Sequence, residues 1–254
     1  MSAPAPRPAA KAVIPFRFST SFVLPEATGL RAATLPQLVG LLREVPESCV
    51  YHHTHYFLLS HHYLTPEPTN DFAYWVTQIL GEIPLGERLA SIDTMQYASL
   101  DALRDAFVRT IDDYLTQRPL ARFKFASEGE EFFFVKSMQV VMPTRVMAST
   151  LEEFAVALSR VSVNSLYFHI FDARLRLGRP TSDFSVWIEQ QLSDPELANE
   201  ISGLDPYSLS LEQLRELLIR MIRDRAASLQ VASARPAAGD AEKTIEVGSS
   251  REMV

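Results

Sequence analysis

Five of the six histidines fall in a single run, Tyr51-His52-His53-Thr54-His55-Tyr56-Phe57-Leu58-Leu59-Ser60-His61-His62. On a regular helix turning roughly 100° per residue, His52, His55 and His62 share one face, while His53 and His61 point elsewhere. Neutral imidazole nitrogens ligate zinc, iron, nickel or copper, so His52, His55 and His62 are a candidate set for a divalent metal. The stronger metal signatures, H-E-x-x-H or paired E-x-x-H, do not occur, which favours an amphipathic helix over a metal centre.

A second set of groups comes from a repetition. Tyr51, His53 and Leu59 return as Tyr167, His169 and Leu175, and Thr69, Asp71, Phe72 and Trp75 return as Thr181, Asp183, Phe184 and Trp187. Residues 34–61 set against 150–177 share 7 of 28 positions, and residues 69–93 against 181–205 share 8 of 25. Self-similarity at so long a period points to two half-domains rather than a solenoid. His53 and His169 are the one histidine pair at equivalent places. Asp172, three residues beyond His169, has the spacing to orient its ring, and Tyr56 stands at the matching position. If both histidines face a shared seam, Tyr51, His53, Tyr167, His169 and Asp172 would line a polar groove that binds a ligand or moves protons.

The elements that must carry these groups are mostly helical. Leu35, Leu38, Val39, Leu42 and Val45 follow one helix face, and Leu151, Phe154, Ala155, Leu158 and Val161 repeat the pattern. Both runs open with a capping box, Thr34 with Gln37 and Thr150 with Glu153. A second helix, about 49–63 and again 164–177, holds the histidines. A third starts near Thr69 or Asn70 and near Thr181 or Ser182, with Asp71 and Asp183 in first turns, where the helix dipole favours a carboxylate and makes a structural role the simplest. A short fourth helix begins near Pro84 and, in the second copy, in a box from Ser193 to Glu196. The last helix runs through Leu100–Ile111 and Leu211–Ile222. Phe16–Leu24 and Phe132–Met142 are rich in aromatic and β-branched residues and read as short strands able to pair with each other.

These readings give a mainly α protein: a tandem duplication of a roughly five-helix unit, packed as a pseudo-twofold pair, with at most a short two-stranded β element. The expected divisions are a disordered N-terminus (1–12), a first unit (13–117), a linker (118–131), a second unit (132–228) and a disordered tail (229–254).

Of the 254 residues 47% are hydrophobic and 22% charged, enough apolar mass for a sizeable core. A net charge of −7 gives no general field for phosphates and argues against nucleic acid. Arg118, Arg122 and Lys124 form the one basic cluster and read as a solvated linker. Cys49, the sole cysteine, fits a reducing compartment and reads as a small buried apolar residue. With no signal-like or membrane-spanning stretch, the expectation is a soluble cytoplasmic protein. Dinucleotide, P-loop and G-x-S-x-G motifs are absent, so the only cofactor in view is the divalent metal.

The run YHHTHYFLLSHHYLTPEPTNDFAYWVTQILGE and its echo NSLYFHIFDARLRLG resemble the family known as domain of unknown function 5752, over about residues 13–226. That resemblance implies no reaction, ligand or site residue. The leading expectation is a noncatalytic or regulatory binding protein, partnered by a protein or small molecule. A metal-dependent or histidine acid/base enzyme is the alternative, and a pH- or metal-responsive switch a third reading.

Overall fold

The computed structural model describes residues 11–60, 69–205 and 209–234. Its spine is a ribbon of two 17-residue strands, β1 (Phe16–Ala32) and β2 (Phe132–Ala148), paired antiparallel over their whole length. After β1 come α1 (Leu35–Glu44), α2 (Glu47–Tyr51), a π-helical turn (His52–Tyr56), α3 (Phe57–Ser60), α4 (Asp71–Gln78), α5 (Ile83–Ala90) and α6 (Leu100–Gln117). After β2 the order runs α7 (Leu151–Leu158), α8 (Val163–Tyr167), a second π turn (Phe168–Asp172), α9 (Ala173–Leu177), α10 (Asp183–Leu192), α11 (Pro195–Ser202) and α12 (Leu211–Ala234).

This corrects the expected mainly α fold of two packed helical units: the architecture is mixed α/β, and neither half of the sequence closes on itself. Two apolar clusters form the interior. Phe16 and Phe18 at the start of β1 are buried with Phe154, Phe184 and Trp187 of the later helices. Phe132 and Phe134 at the start of β2 are buried with Phe72, Trp75 and Phe107 of the earlier ones. Each strand then crosses to the opposite cluster, ending at Ala32 in one case and Ala148 in the other. Fully burying a phenylalanine contributes about 1.5–3 kcal/mol, so each helical set is completed by aromatic rings lent from the far half of the chain.

The strands exceed their expected lengths because Pro25 and Pro143 look like terminators. A proline cannot donate to a ladder, but each strand of a two-stranded ribbon has one open edge, and there the missing N–H costs nothing. Pro25 sits opposite Ser137, and Pro143 opposite Ser19. The ladder changes register twice, between Arg17 and Ser19 and between Ala27 and Arg31. Thr28 Oγ1 donates to the Phe134 carbonyl (2.6 Å) at one irregularity, and Thr144 Oγ1 to the Phe18 carbonyl (2.7 Å) at the other. Midway, Val23 faces Gln139, which lies 116 positions further on, the same offset that relates His53 to His169.

Local signals place most helix starts. Thr34 and Thr150 cap α1 and α7, and Gln37 and Glu153 reach back to the amides of Ala33 and Ser149 (2.8 and 2.7 Å). Asn70 and Ser182 cap α4 and α10. At α11 the cap is Asp194 rather than Ser193, which instead takes a left-handed conformation at φ 54°. Ala12 is buried and its N–H bonds Ser149, and α12 extends to Ala234, so the described fold reaches past the expected limits of 13 and 228.

Candidate functional site

Both histidine-bearing helices widen at the same point. The turns His52–Tyr56 and Phe168–Asp172 are π-helical, each following one turn of α-helix. Such insertions are uncommon and often mark sites where side-chain direction matters. A π turn also departs from roughly 100° per residue, so His52 and His55 do not present one regular ligand face.

His53 and His169 hold corresponding positions at the two ends of the ribbon. His53 Nε2 accepts the backbone N–H of Val135 (3.0 Å), and its Nδ1 meets Asp71 Oδ2 (2.8 Å). His169 Nε2 accepts the N–H of Ser19 (2.8 Å), and its Nδ1 meets Asp183 Oδ2 (2.7 Å). A peptide N–H can only donate, so the ring proton sits on Nδ1 and points at the carboxylate. Ser19 and Val135 adjoin the two register changes, so each imidazole caps a strand amide where the ladder is broken. Nearby tryptophans make matching bonds: Trp75 Nε1 donates to the Glu130 carbonyl and Trp187 Nε1 to that of Ile14, both at 2.8 Å. Burial pushes the Asp183 carboxyl up, but hydrogen bonds from His169 and Arg176 outweigh it and hold the group below its ordinary value.

Asp172 does not orient His169, contrary to its i+3 spacing, because the π turn carries it away from that ring. Its carboxylate lies at the seam between the two helical sets. Tyr51 OH donates to Oδ1 (3.0 Å), and Gln139 Nε2, from the middle of β2, donates to Oδ2 (2.6 Å). Burial dominates its titration and raises the pKa to about 7, against the lowering effect of Tyr51, Gln139 and the more distant Arg176. Burial, and then the charge of Asp172, push the Tyr51 phenol well above its usual value. Tyr167 OH donates to the His55 carbonyl (2.7 Å), a second bond across the seam.

The five predicted groove residues therefore divide. Tyr51 and Asp172 meet directly, Tyr167 supports the same seam through His55, and His53 and His169 stand apart at opposite ends of the ribbon. Asp71, Asp183 and Gln139 are the partners that sequence reasoning did not assign. The two aspartates lie in the same retained runs as the histidines, which was the available signal; Gln139 has Val23 at its equivalent place and gave none.

Among the metal candidates, His55 is buried, stacks on Tyr51 (5.5 Å between centroids, 9° between planes) and contacts Thr54 Oγ1 through Nδ1 (3.1 Å). Its pKa falls to about 4, through burial and then Arg174. His52 Nδ1 meets Ser137 Oγ (2.9 Å), and its pKa also falls to about 4, through burial and then His53. His62 lies outside the described residues. Among those described, no three His, Cys, Asp or Glu side chains converge as a metal cluster. No helix of the described residues is long and apolar enough to cross a membrane.

Above the seam, the outer face of the ribbon is apolar. Phe22, Leu24, Met138, Val140 and Met142 are 40–55% exposed, and Phe22 with Val140 and Leu24 with Met138 are cross-strand pairs.

The model of a family of unknown function, DUF5752, matches residues 13–223. A solved structure described as that of OrfY from Thermoproteus tenax is similar, with 30% identity and a TM-score of 0.73, over 86% of this chain and 98% of that one. No curated protein matches.

Proposed function

The chain belongs to the DUF5752 family of unknown function, and from that premise we propose that it is a noncatalytic, cytoplasmic binding protein that engages an acidic protein partner through the outer face of the ribbon. The exposed apolar stripe around Leu24 and Met138 is the observation that carries this reading. Isolated exposed apolar side chains are ordinary, whereas a contiguous group centred on a seam is what interaction surfaces present. A duplicated gene accounts for the repeated contacts, with Tyr51, Asp172 and the two histidine clasps setting the angle of the ribbon.

Charge selects the partner. The strands carry Arg17, Arg31, Lys136 and Arg145 against Glu26 alone, in a chain of net charge −7. Arg31 pairs with Glu131 and Lys136 with Glu26, while Arg17 and Arg145 enter none of the ion pairs among the described residues. Stacking two copies ribbon to ribbon would oppose like charges, so an acidic surface fits better than a second copy.

A photoreactive side chain at position 24 of the intact protein is expected to cross-link one partner, which, once purified, binds the native chain and loses at least about tenfold in affinity to R17E/R145E. A partner bound equally well by that variant, or no adduct at all, would sink the ribbon as the site. The enzyme alternative has a separate signature: untagged protein would carry stoichiometric divalent metal and lose it in His52→Ala. Substoichiometric metal, unchanged in that variant, is the expected result.

A further inference from the structure

We propose that the connection from Arg118 to Phe125 is a docking site for a short acidic segment of a partner protein bearing one large apolar side chain. The proposal rests on the binding-protein reading and adds the chemistry of one partner segment, at a place separate from the ribbon face.

The chain leaves α6 as Arg118-Pro119-Leu120-Ala121-Arg122-Phe123-Lys124-Phe125, and Pro119–Phe123 form a single 3-10 turn. Only Ala121 is buried. Leu120, Phe123 and Phe125 are 80, 71 and 74% exposed, more than any other large apolar side chain among the described residues except Val13. A solvated linker has no need of three such residues, and covering them would take a large apolar surface out of water.

The backbone beneath them is fixed. Ala121 N–H bonds Arg118 O (3.1 Å), Lys124 N–H bonds Ala121 O (3.2 Å), Phe125 bridges Thr34, and Ala126 N–H bonds Ala33 O (2.8 Å). The side chains are thus presented by a held loop, which lowers the entropy cost of binding.

Cations interleave with the apolar groups, and no acid occurs from 118 to 125. Arg118 and Arg88 both lie 5.6 Å from the centre of the Tyr114 ring, which fixes their charge by cation–π attraction. Tyr114 OH donates to Glu82, and Lys124 Nζ pairs with Glu82 (3.0 Å). Beside Leu120 lies an open concavity of about 350 Å³ lined by Glu82, Arg118, Pro119, Leu120, Ala121 and Lys124. That volume admits one large side chain, with Arg118 and Lys124 in its lining and Arg122 exposed on the adjoining turn to receive carboxylates.

An anionic membrane or a nucleic acid fits less well. Either would bring an extended negative surface against a chain of net charge −7, and Glu128, Glu130 and Glu131 follow the loop within six residues. A short acidic segment places its charge only where the cations are.

The test screens the intact chain against a random displayed-peptide library and measures the enriched synthetic peptides by fluorescence anisotropy. Enrichment of peptides with several Asp or Glu around a Leu, Phe or Trp is expected. Binding should weaken at least about tenfold in both R118E/R122E and L120S/F123S, fall with added salt, and stay unchanged in L24S/M138S. All the altered side chains are exposed, so thermal unfolding by circular dichroism should hardly move. Absence of an acidic-apolar motif, or peptides that bind R118E/R122E as well as the native chain, would overturn the proposal. So would vesicles of phosphatidylserine and phosphatidylcholine that sediment the protein through these residues, or self-association lost in L120S/F123S. Peptide binding lost only in L24S/M138S would refute the loop site and leave the binding-protein reading standing.

Discussion

His169→Ala is expected to lower the stability of the protein by roughly 3–5 kcal/mol in equilibrium urea unfolding. The substitution removes the acceptor of the Ser19 N–H and the donor to Asp183, and it leaves a cavity where the ring packs against Phe16, Phe18 and Phe184. A buried amide without a partner costs about 1–3 kcal/mol, and the lost packing adds to that. Arg176 still holds the Asp183 carboxylate (2.6 Å), which keeps the penalty below that of an isolated buried charge. His169→Gln should recover part of the loss, because an amide oxygen can accept the strand N–H. His53→Ala should act in the same direction through Val135 and Asp71. A loss under about 1 kcal/mol for His169→Ala would mean that the clasp does not anchor the ribbon.

Asp172→Asn is expected to stabilise the protein above neutral pH and to remove a dependence of stability on pH. The folded carboxyl, with a pKa near 7, holds its proton more tightly than an unfolded one near 3.8. Between those values the native state binds more protons than the unfolded state, so stability falls as pH rises and levels off above the folded pKa. Below about pH 4 both states are protonated and the penalty vanishes. A displacement of this size corresponds to a ceiling of about 4 kcal/mol at pH 8, and relaxation of the seam will reduce it. Asparagine keeps an acceptor for Tyr51 OH, and a rotated Gln139 amide can accept from its NH₂ group. Urea unfolding at pH 5 and pH 8 separates the outcomes: the native chain should lose stability over that interval relative to D172N. Parallel values for the two proteins would show that the seam carboxyl titrates normally.

Short-range chemistry was legible in the sequence, whereas cross-chain partners were not. The threonine capping boxes and the caps at Asn70 and Ser182 are decided within four residues, and they stand where their spacing put them. The fold class was not legible, because alternating aromatics at Phe16–Phe18 and Phe132–Phe134 say that a strand is present without saying how far it continues past a proline. At the site, both histidine runs carry the pattern of a regular helix, and nothing local marks the π turns. The widened turns send Asp172 to Tyr51 and leave His169 to Asp183, a residue 14 positions away that reads locally as a helix-start carboxylate. Gln139 was hidden for another reason: a single polar residue amid Met138, Val140 and Val141 looks like the solvent side of a strand, and only the pairing of distant segments brings it over a carboxylate.

The crossing of the two strands also constrains how the chain can be made. Phe132 and Phe134 belong to the interior of the first helical set, so a nascent chain that has emerged only as far as α6 lacks the rings that complete it. Phe16 and Phe18 must in turn wait for helices beginning at Leu151. Closure over such sequence separations is slow, and the early intermediate carries open strand edges and unfinished apolar surface. Each molecule thereby holds a lent strand that a neighbour could supply instead, which makes reciprocal exchange between two copies the characteristic misassembly at high concentration.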